Sequence, residues 1–129
     1  EVITLIGRHP VNRQKMAVVE RNGKNAITSY RLLGSGDFNG MQVSLLAVKI
    51  ATGRTHQIRV HMNHLGFPVL GDQIYGGSRS KAEGVERQLL HAWKIEFPHP
   101  GERRKCSFKA EVPEDFRKVL LFSGIEAEI

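Results

Sequence analysis

The sequence predicts an α+β domain with a mixed, mostly antiparallel sheet and two main helices. Three observations carry this: strand-like apolar segments separated by Gly, Asn and Pro turns, a helical run ending near Leu65, and another after Pro113. At 129 residues the chain has the size of one domain, 1–129, and no repeat, low-complexity tract or linker divides it.

Residues 2–6 are a strand candidate that starts abruptly and lacks an evident neighbour. Residues 7–15 read as an exposed basic loop. Residues 16–20 and 26–33 are strand-like and flank Asn22-Gly23, two residues that tolerate positive φ and signal a type I′ hairpin. A second turn spans 34–40, and 41–50 follows as a strand apolar enough for burial on both faces. The helix to Leu65 ends at Gly66, the position of a left-handed cap. Residues 71–77 are a glycine-rich loop, and 78–87 a charged excursion with a turn of helix. Residues 89–97 alternate as a strand does, 98–101 turn the chain, and 104–112 return with Cys106, Phe108 and Ala110 on one side. Pro113 then opens a terminal helix with Phe116, Val119 and Leu120 on one face.

A composition of 40% hydrophobic and 25% charged residues excludes disordered and collagen-like chains. No apolar run reaches the roughly 18–20 residues of a membrane span, and no signal-peptide pattern opens the chain. No membrane partner is expected. The single cysteine, Cys106, excludes an internal disulfide framework and fits a reducing cytoplasm. A net charge of +6 favours a polyanionic partner. Its distribution is uneven: no acid lies between Asp37 and Asp72, and ahead of Tyr30 five cations face only Glu1 and Glu20. On charge alone, a solvated basic surface explains this as well as a phosphate-binding face does.

On a wheel of about 100° per residue, Ile58, Met62 and Leu65 cluster and are expected to face the core. His56, Arg59 and Asn63 share a second face; Gln57, His61 and His64 share a third. A short helix with two polar faces and a Gly-bearing entry turn reads as the wall of a polar cleft, or equally as a solvated surface helix. His61 and His64 can chelate at i, i+3, but His56 points elsewhere and no acid or thiol accompanies them, so no metal and no cofactor are expected.

The run Thr52-Gly-Arg-Thr-His-Gln-Ile-Arg-Val-His61, with Gly66-Phe-Pro-Val-Leu-Gly-Asp72 and Tyr75-Gly76, resembles the late motif of the RluA-type ribosomal RNA pseudouridine synthases. Leu89-Leu-His-Ala92 followed by Phe97-Pro-His-Pro100 resembles that family's final core motif. Ile6-Gly-Arg-His-Pro10, Arg13, Lys15 and Met16, then Gly23-Lys24 and Ile27-Thr28, resemble the branch that modifies large-subunit RNA.

The resemblance implies a cofactor-free isomerisation of uridine within RNA: an aspartate acts at C1′, uracil detaches, turns and rejoins through C5, and a tyrosine stacks on the base. It maps the arginine that pairs with that aspartate to Arg59, and the apolar support of the tyrosine to Leu90. Arg8, His9, Arg13, Lys15, Arg54, His56 and Gln57 are the RNA-contacting candidates. The family's His-Arg-Leu-Asp motif and its catalytic tyrosine motif are absent here. The expectation is therefore the C-terminal half of a pseudouridine synthase catalytic domain, inactive by itself, whose Arg59 pairs with an acid outside this chain. Two other readings compete: a self-standing RNA-binding module, and a metal hydrolase on the histidines. A half-domain is also expected to form a homodimer through unpaired strands.

Overall fold

The computed structural model describes all 129 residues, Glu1–Ile129. Its strands are β1 (Val2–Arg8), β2 (Met16–Val19), β3 (Lys24–Phe38), β4 (Met41–Ile50), β5 (Lys94–Pro98) and β6 (Lys105–Lys109). Two α-helices, α1 (Gln57–His64) and α2 (Glu114–Ser123), and a 3₁₀ turn at Gly77–Ser80 complete the fold. One sheet has the order β2-β1-β3-β4 and the other is the β5-β6 hairpin; every pairing is antiparallel. The α+β class holds, with no parallel pair in either sheet. No helix is long and apolar enough to cross a membrane.

Several boundaries differ from the sequence reading. β1 does not lack neighbours; it lies inside the sheet between β2 and β3, and it runs on through Gly7 and Arg8. The Asn22-Gly23 hairpin does not form, because β2 and β3 both pair with β1 rather than with each other. The segment between them crosses β1 instead, so closely that a Cβ on Gly23 would lie 2.6 Å from Val19 Cγ2 and 3.0 Å from Leu5 Cβ. The two-residue hairpin turn sits at Asn39-Gly40, where φ is 51° and 88°, between the paired residues Phe38 and Met41. Residues 34–38, read as turn, extend β3 past a bulge between Leu32 and Gly34. β4 has the expected bounds but is an edge strand and only Leu45 in it is fully buried, so burial on both faces is overturned.

The C-terminal strands are shorter than expected, and of the predicted inward trio only Cys106 is buried, Phe108 and Ala110 being exposed. Helix α2 matches its prediction: Val119 is buried, Phe116 and Leu120 half-buried, and Gly124 at φ 72° terminates it.

Two small cores hold these parts. Ile6, Ala26, Val60 and Tyr75 form one, joining the sheet to α1 and to the glycine-rich loop. Phe38, Val85 and Val119 form the other, joining the tip of β3 to α2. Neither is large, so polar contacts carry much of the docking of α1.

Candidate active site

Helix α1 meets the sheet with a polar face, contrary to the wheel prediction. Gln57, Arg59, Val60, His61 and Met62 are buried, while Ile58 and Leu65 are only half-buried. The reason lies in the strands beneath, which present Thr4 and Thr28 to the helix. Gln57 Nε2 donates to Ile27 O at 3.0 Å and to Thr28 Oγ1 at 2.9 Å. Its Oε1 accepts from Thr52 Oγ1 at 2.7 Å and from Arg54 N at 3.0 Å. The ring of His61, fully buried, bridges Thr28 Oγ1 through Nδ1 and Thr4 Oγ1 through Nε2, both at 2.7 Å. All four hydrogen-bonding positions of the Gln57 amide are filled. Such a network replaces an apolar seam and fixes the helix in one rotation.

With that rotation set, Arg59 points at the glycine-rich loop. Asp72 accepts from Arg59 Nε at 3.0 Å (Oδ2) and from Nη2 at 2.9 Å (Oδ1), a bidentate pair whose acid is 1% exposed. Asp72 Oδ1 also accepts from Tyr75 N at 3.3 Å, and Asp72 O accepts from Gly76 N and Ser80 Oγ, so the acid organises its own loop. Burial by itself would raise the Asp72 pKa; the Arg59 hydrogen bonds, aided by the Tyr75 and Ile74 amides, outweigh it and hold the carboxyl below its usual range. The Asp72 hydrogen bond in turn raises the Arg59 pKa. The sequence reading gave Arg59 an acid outside the chain. Within the chain, the guanidinium holds Asp72 through two of its nitrogens. Its third nitrogen, Nη1, makes no hydrogen bond and remains accessible.

Tyr75, part of the late motif but given no role from the sequence, packs under this pair. The Arg59 guanidinium lies 5.0 Å from its ring centroid and Lys15 Nζ 5.5 Å from it. Its hydroxyl accepts from Met16 N at 3.1 Å and sits 2.7 Å from His56 Nδ1. The hydroxyl, with two acceptor sites and one proton, can keep the Met16 bond and either donate to His56 Nδ1 or accept from it, according to the ring's tautomer. Burial, and secondarily Arg59, lower the His56 pKa against the opposing pull of Asp72, in keeping with a neutral ring. His56 itself is in the left-handed conformation, φ 54°. The pattern Asp-x-x-Tyr-Gly was the available signal for this tyrosine, and its weakness hid the role.

The other expected site residues separate into groups. Arg8 and Arg13 line an open cleft of about 630 Å³ together with Arg21, opposed by one acid, Glu20. His9 caps its own loop, its Nδ1 accepting from Val11 N and Asn12 N. Arg54 donates to Asn25 O at 2.8 Å. Gln57, 3% exposed and fully bonded, belongs to the helix–sheet seam rather than to an RNA-contacting surface. Leu90 is half-buried, and its neighbour Leu89 is the one packed on the Phe38 cluster. The three histidines of α1 and its entry do not converge: His56 faces Tyr75, His61 the two threonines, and His64 is exposed.

Comparisons with known proteins find similar sequences and a similar fold among pseudouridine synthases. Residues 4–64 match the model of the RNA pseudouridylate synthase family. The chain is 48% identical over 116 residues to an uncharacterized RNA pseudouridine synthase of Chloroflexus aurantiacus, covering 89% of this chain and 34% of that protein. It is 43% identical over 122 residues to the ribosomal large subunit pseudouridine synthase D of Pseudomonas aeruginosa, covering 86% of this chain and 37% of that one. The structure of human RNA pseudouridylate synthase domain containing 1 superposes with a TM-score of 0.76 at 30% identity, over 95% of this chain and half of that one, 50%. The chain thus spans about a third of the length of these curated relatives. Its motifs, its fold and these matches agree: over most of its length the chain is similar to RNA pseudouridine synthases of the RluA type.

Proposed function

We propose that the protein carrying this chain isomerises uridine to pseudouridine in large-subunit ribosomal RNA, in the cytoplasm where ribosomes are made. In that reaction the C1′–N1 bond breaks, a C1′–C5 bond forms, and the proton leaves C5 while N1 regains one. Within it the chain supplies Arg59 and a basic grip on the RNA. The observation that carries this reading is the buried guanidinium of Arg59, oriented by Asp72 with Nη1 left open. A fork held on one edge offers its other edge to a second carboxylate, and a nearby cation keeps such an acid ionised. Asp72 is committed to that orienting role, so the acid acting at C1′ is a different one, carried outside this chain, and the chain alone is inactive.

Arg8, Arg13 and Lys15 contact phosphates flanking the target, since chemistry on a base requires its extrusion from the stack. His9, Arg54 and His56 lie on the same basic side of the sequence as supporting contacts, and Leu90 supports the stacking tyrosine of the whole enzyme. Relatives named as large-subunit rRNA enzymes favour this substrate class. The direct test is release of tritium from C5-labelled uridine in a ribosomal RNA transcript by the full-length protein. Arg59→Lys is expected to abolish release while RNA affinity persists, because an ammonium cannot reproduce the fork. Retained turnover removes Arg59 from the mechanism.

The cleft of Arg8, Arg13 and Arg21 favours a second reading, an RNA-binding module that works without catalysis. By itself the chain is further expected to pair with a second copy through its open strand edges and apolar faces.

A further inference from the structure

We propose that Tyr75 is a positioning residue that couples the RNA-gripping loop, 9–15, to the helix bearing Arg59. This rests on the proposed reaction and adds to it a connection between grip and chemistry. The loop is closed on itself by His9 N to Lys15 O at 2.9 Å and Lys15 N to Asn12 O at 3.0 Å. A further bond, Arg8 Nη1 to Arg13 O at 3.3 Å, ties the two arginines of the cleft together. The loop therefore moves as a unit, and what anchors one end anchors the cations it carries. Its C-terminal end is anchored by Met16 N donating to Tyr75 Oη, across 59 residues of sequence.

The same hydroxyl hydrogen-bonds His56 Nδ1 at the entry of α1, and both the Arg59 guanidinium and Lys15 Nζ lie over the ring. Tyr75 is 9% exposed and packs with Ile6, Ala26 and Val60, so the ring itself has little freedom. One rigid side chain thus sets the loop, the helix entry and the guanidinium in register. A phenylalanine fills the same core and keeps both cation–ring contacts. It removes only the hydroxyl bridge.

The test compares the full-length enzyme with its Tyr75→Phe variant on a transcript of large-subunit ribosomal RNA, reading the dissociation constant and the turnover at saturation separately. Losing the hydrogen bond that anchors the loop, together with its link to His56, is expected to raise Kd and KM by about fivefold to tenfold. Turnover at saturation should stay within about twofold of the unaltered enzyme, because Arg59 keeps Asp72 and the ring. Unchanged Kd, or a loss of turnover with Kd unchanged, overturns the coupling. Should the variant fail to fold, amide exchange at Met16 in the unaltered protein decides: protection supports the bridge, and free exchange overturns it. An unaltered protein that binds the RNA yet makes no pseudouridine sinks the proposed reaction, and the Kd comparison still tests Tyr75.

Discussion

Asp72 receives both the Nε and Nη2 hydrogen bonds of Arg59, 13 residues away, with the acid fully buried and the base nearly so. A pair of this kind gives little net stability over an apolar pair of equal volume, but breaking it leaves one charge buried without a partner. Asp72→Ala is therefore expected to destabilise the chain by about 3–5 kcal/mol. Asp72→Asn, which keeps an acceptor and the Tyr75 amide contact, should lose less. Urea unfolding of the two variants checks the order, and equal midpoints would show that the charge is immaterial.

The histidines set the acid limit of stability. His56 is lowered by burial and then by Arg59; His61 is lowered by burial and then by His64. A folded pKa below the unfolded value means that the unfolded chain takes up protons first. The stabilisation is therefore complete above the unfolded value, near 6.5, and is lost as pH falls through that value toward the lower folded ones. Thermal midpoints should stay level above pH 7.5 and begin to fall below about 6.5, before carboxylates titrate. In His61→Gln part of that slope should disappear. A midpoint flat down to pH 5 would contradict a neutral His61 held between Thr4 and Thr28.

Phosphate contacts should appear as a salt dependence. The cleft of Arg8, Arg13 and Arg21 carries three cations, and Glu20 neutralises only part of their charge. If these 129 residues bind RNA, log K should fall linearly with log salt, by about 0.7 per phosphate neutralised on single strands. Arg13→Ala and Arg21→Ala should each shallow the slope by roughly one contact and weaken all sequences alike. A flat titration would leave the cleft without an RNA role.

How far the sequence disclosed this arrangement depended on the kind of interaction. Local signals worked where local chemistry decided: Gly66 and Gly124 end the two helices, and Pro113 precedes α2. They failed where distant strands decided. Asn22-Gly23 and Asn39-Gly40 are equal hairpin signals, yet β1 inserts between β2 and β3, so only the second becomes a turn. The wheel for α1 assumed that the apolar stripe faces inward, but Thr4 and Thr28 on the sheet select Gln57 and His61 instead. At the site, the motif pointed to Arg59. The Asp72 and Tyr75 partnership stayed hidden because side-chain pairing across a loop leaves no periodicity.

The β5-β6 hairpin supplies the last expectation. Ile95, Phe97 and Phe108 stand on one of its faces at 59%, 38% and 61% exposure, with the two phenylalanine rings stacked at 5.8 Å. Beside it, Trp93 Nε1 is buried with no hydrogen-bond partner. An apolar face next to an unsatisfied donor is a surface that gains by being covered. On α2, Leu121 and Phe122 add a further exposed pair at 76% and 71%. The isolated chain is therefore expected to self-associate as its concentration rises, with light scattering giving a mass above that of one 14.5 kDa chain. Phe108→Lys should shift that equilibrium toward monomer without lowering the thermal midpoint, because the side chain it replaces is mostly in water. A strict monomer at millimolar concentration would mean that these faces are tolerated in solvent.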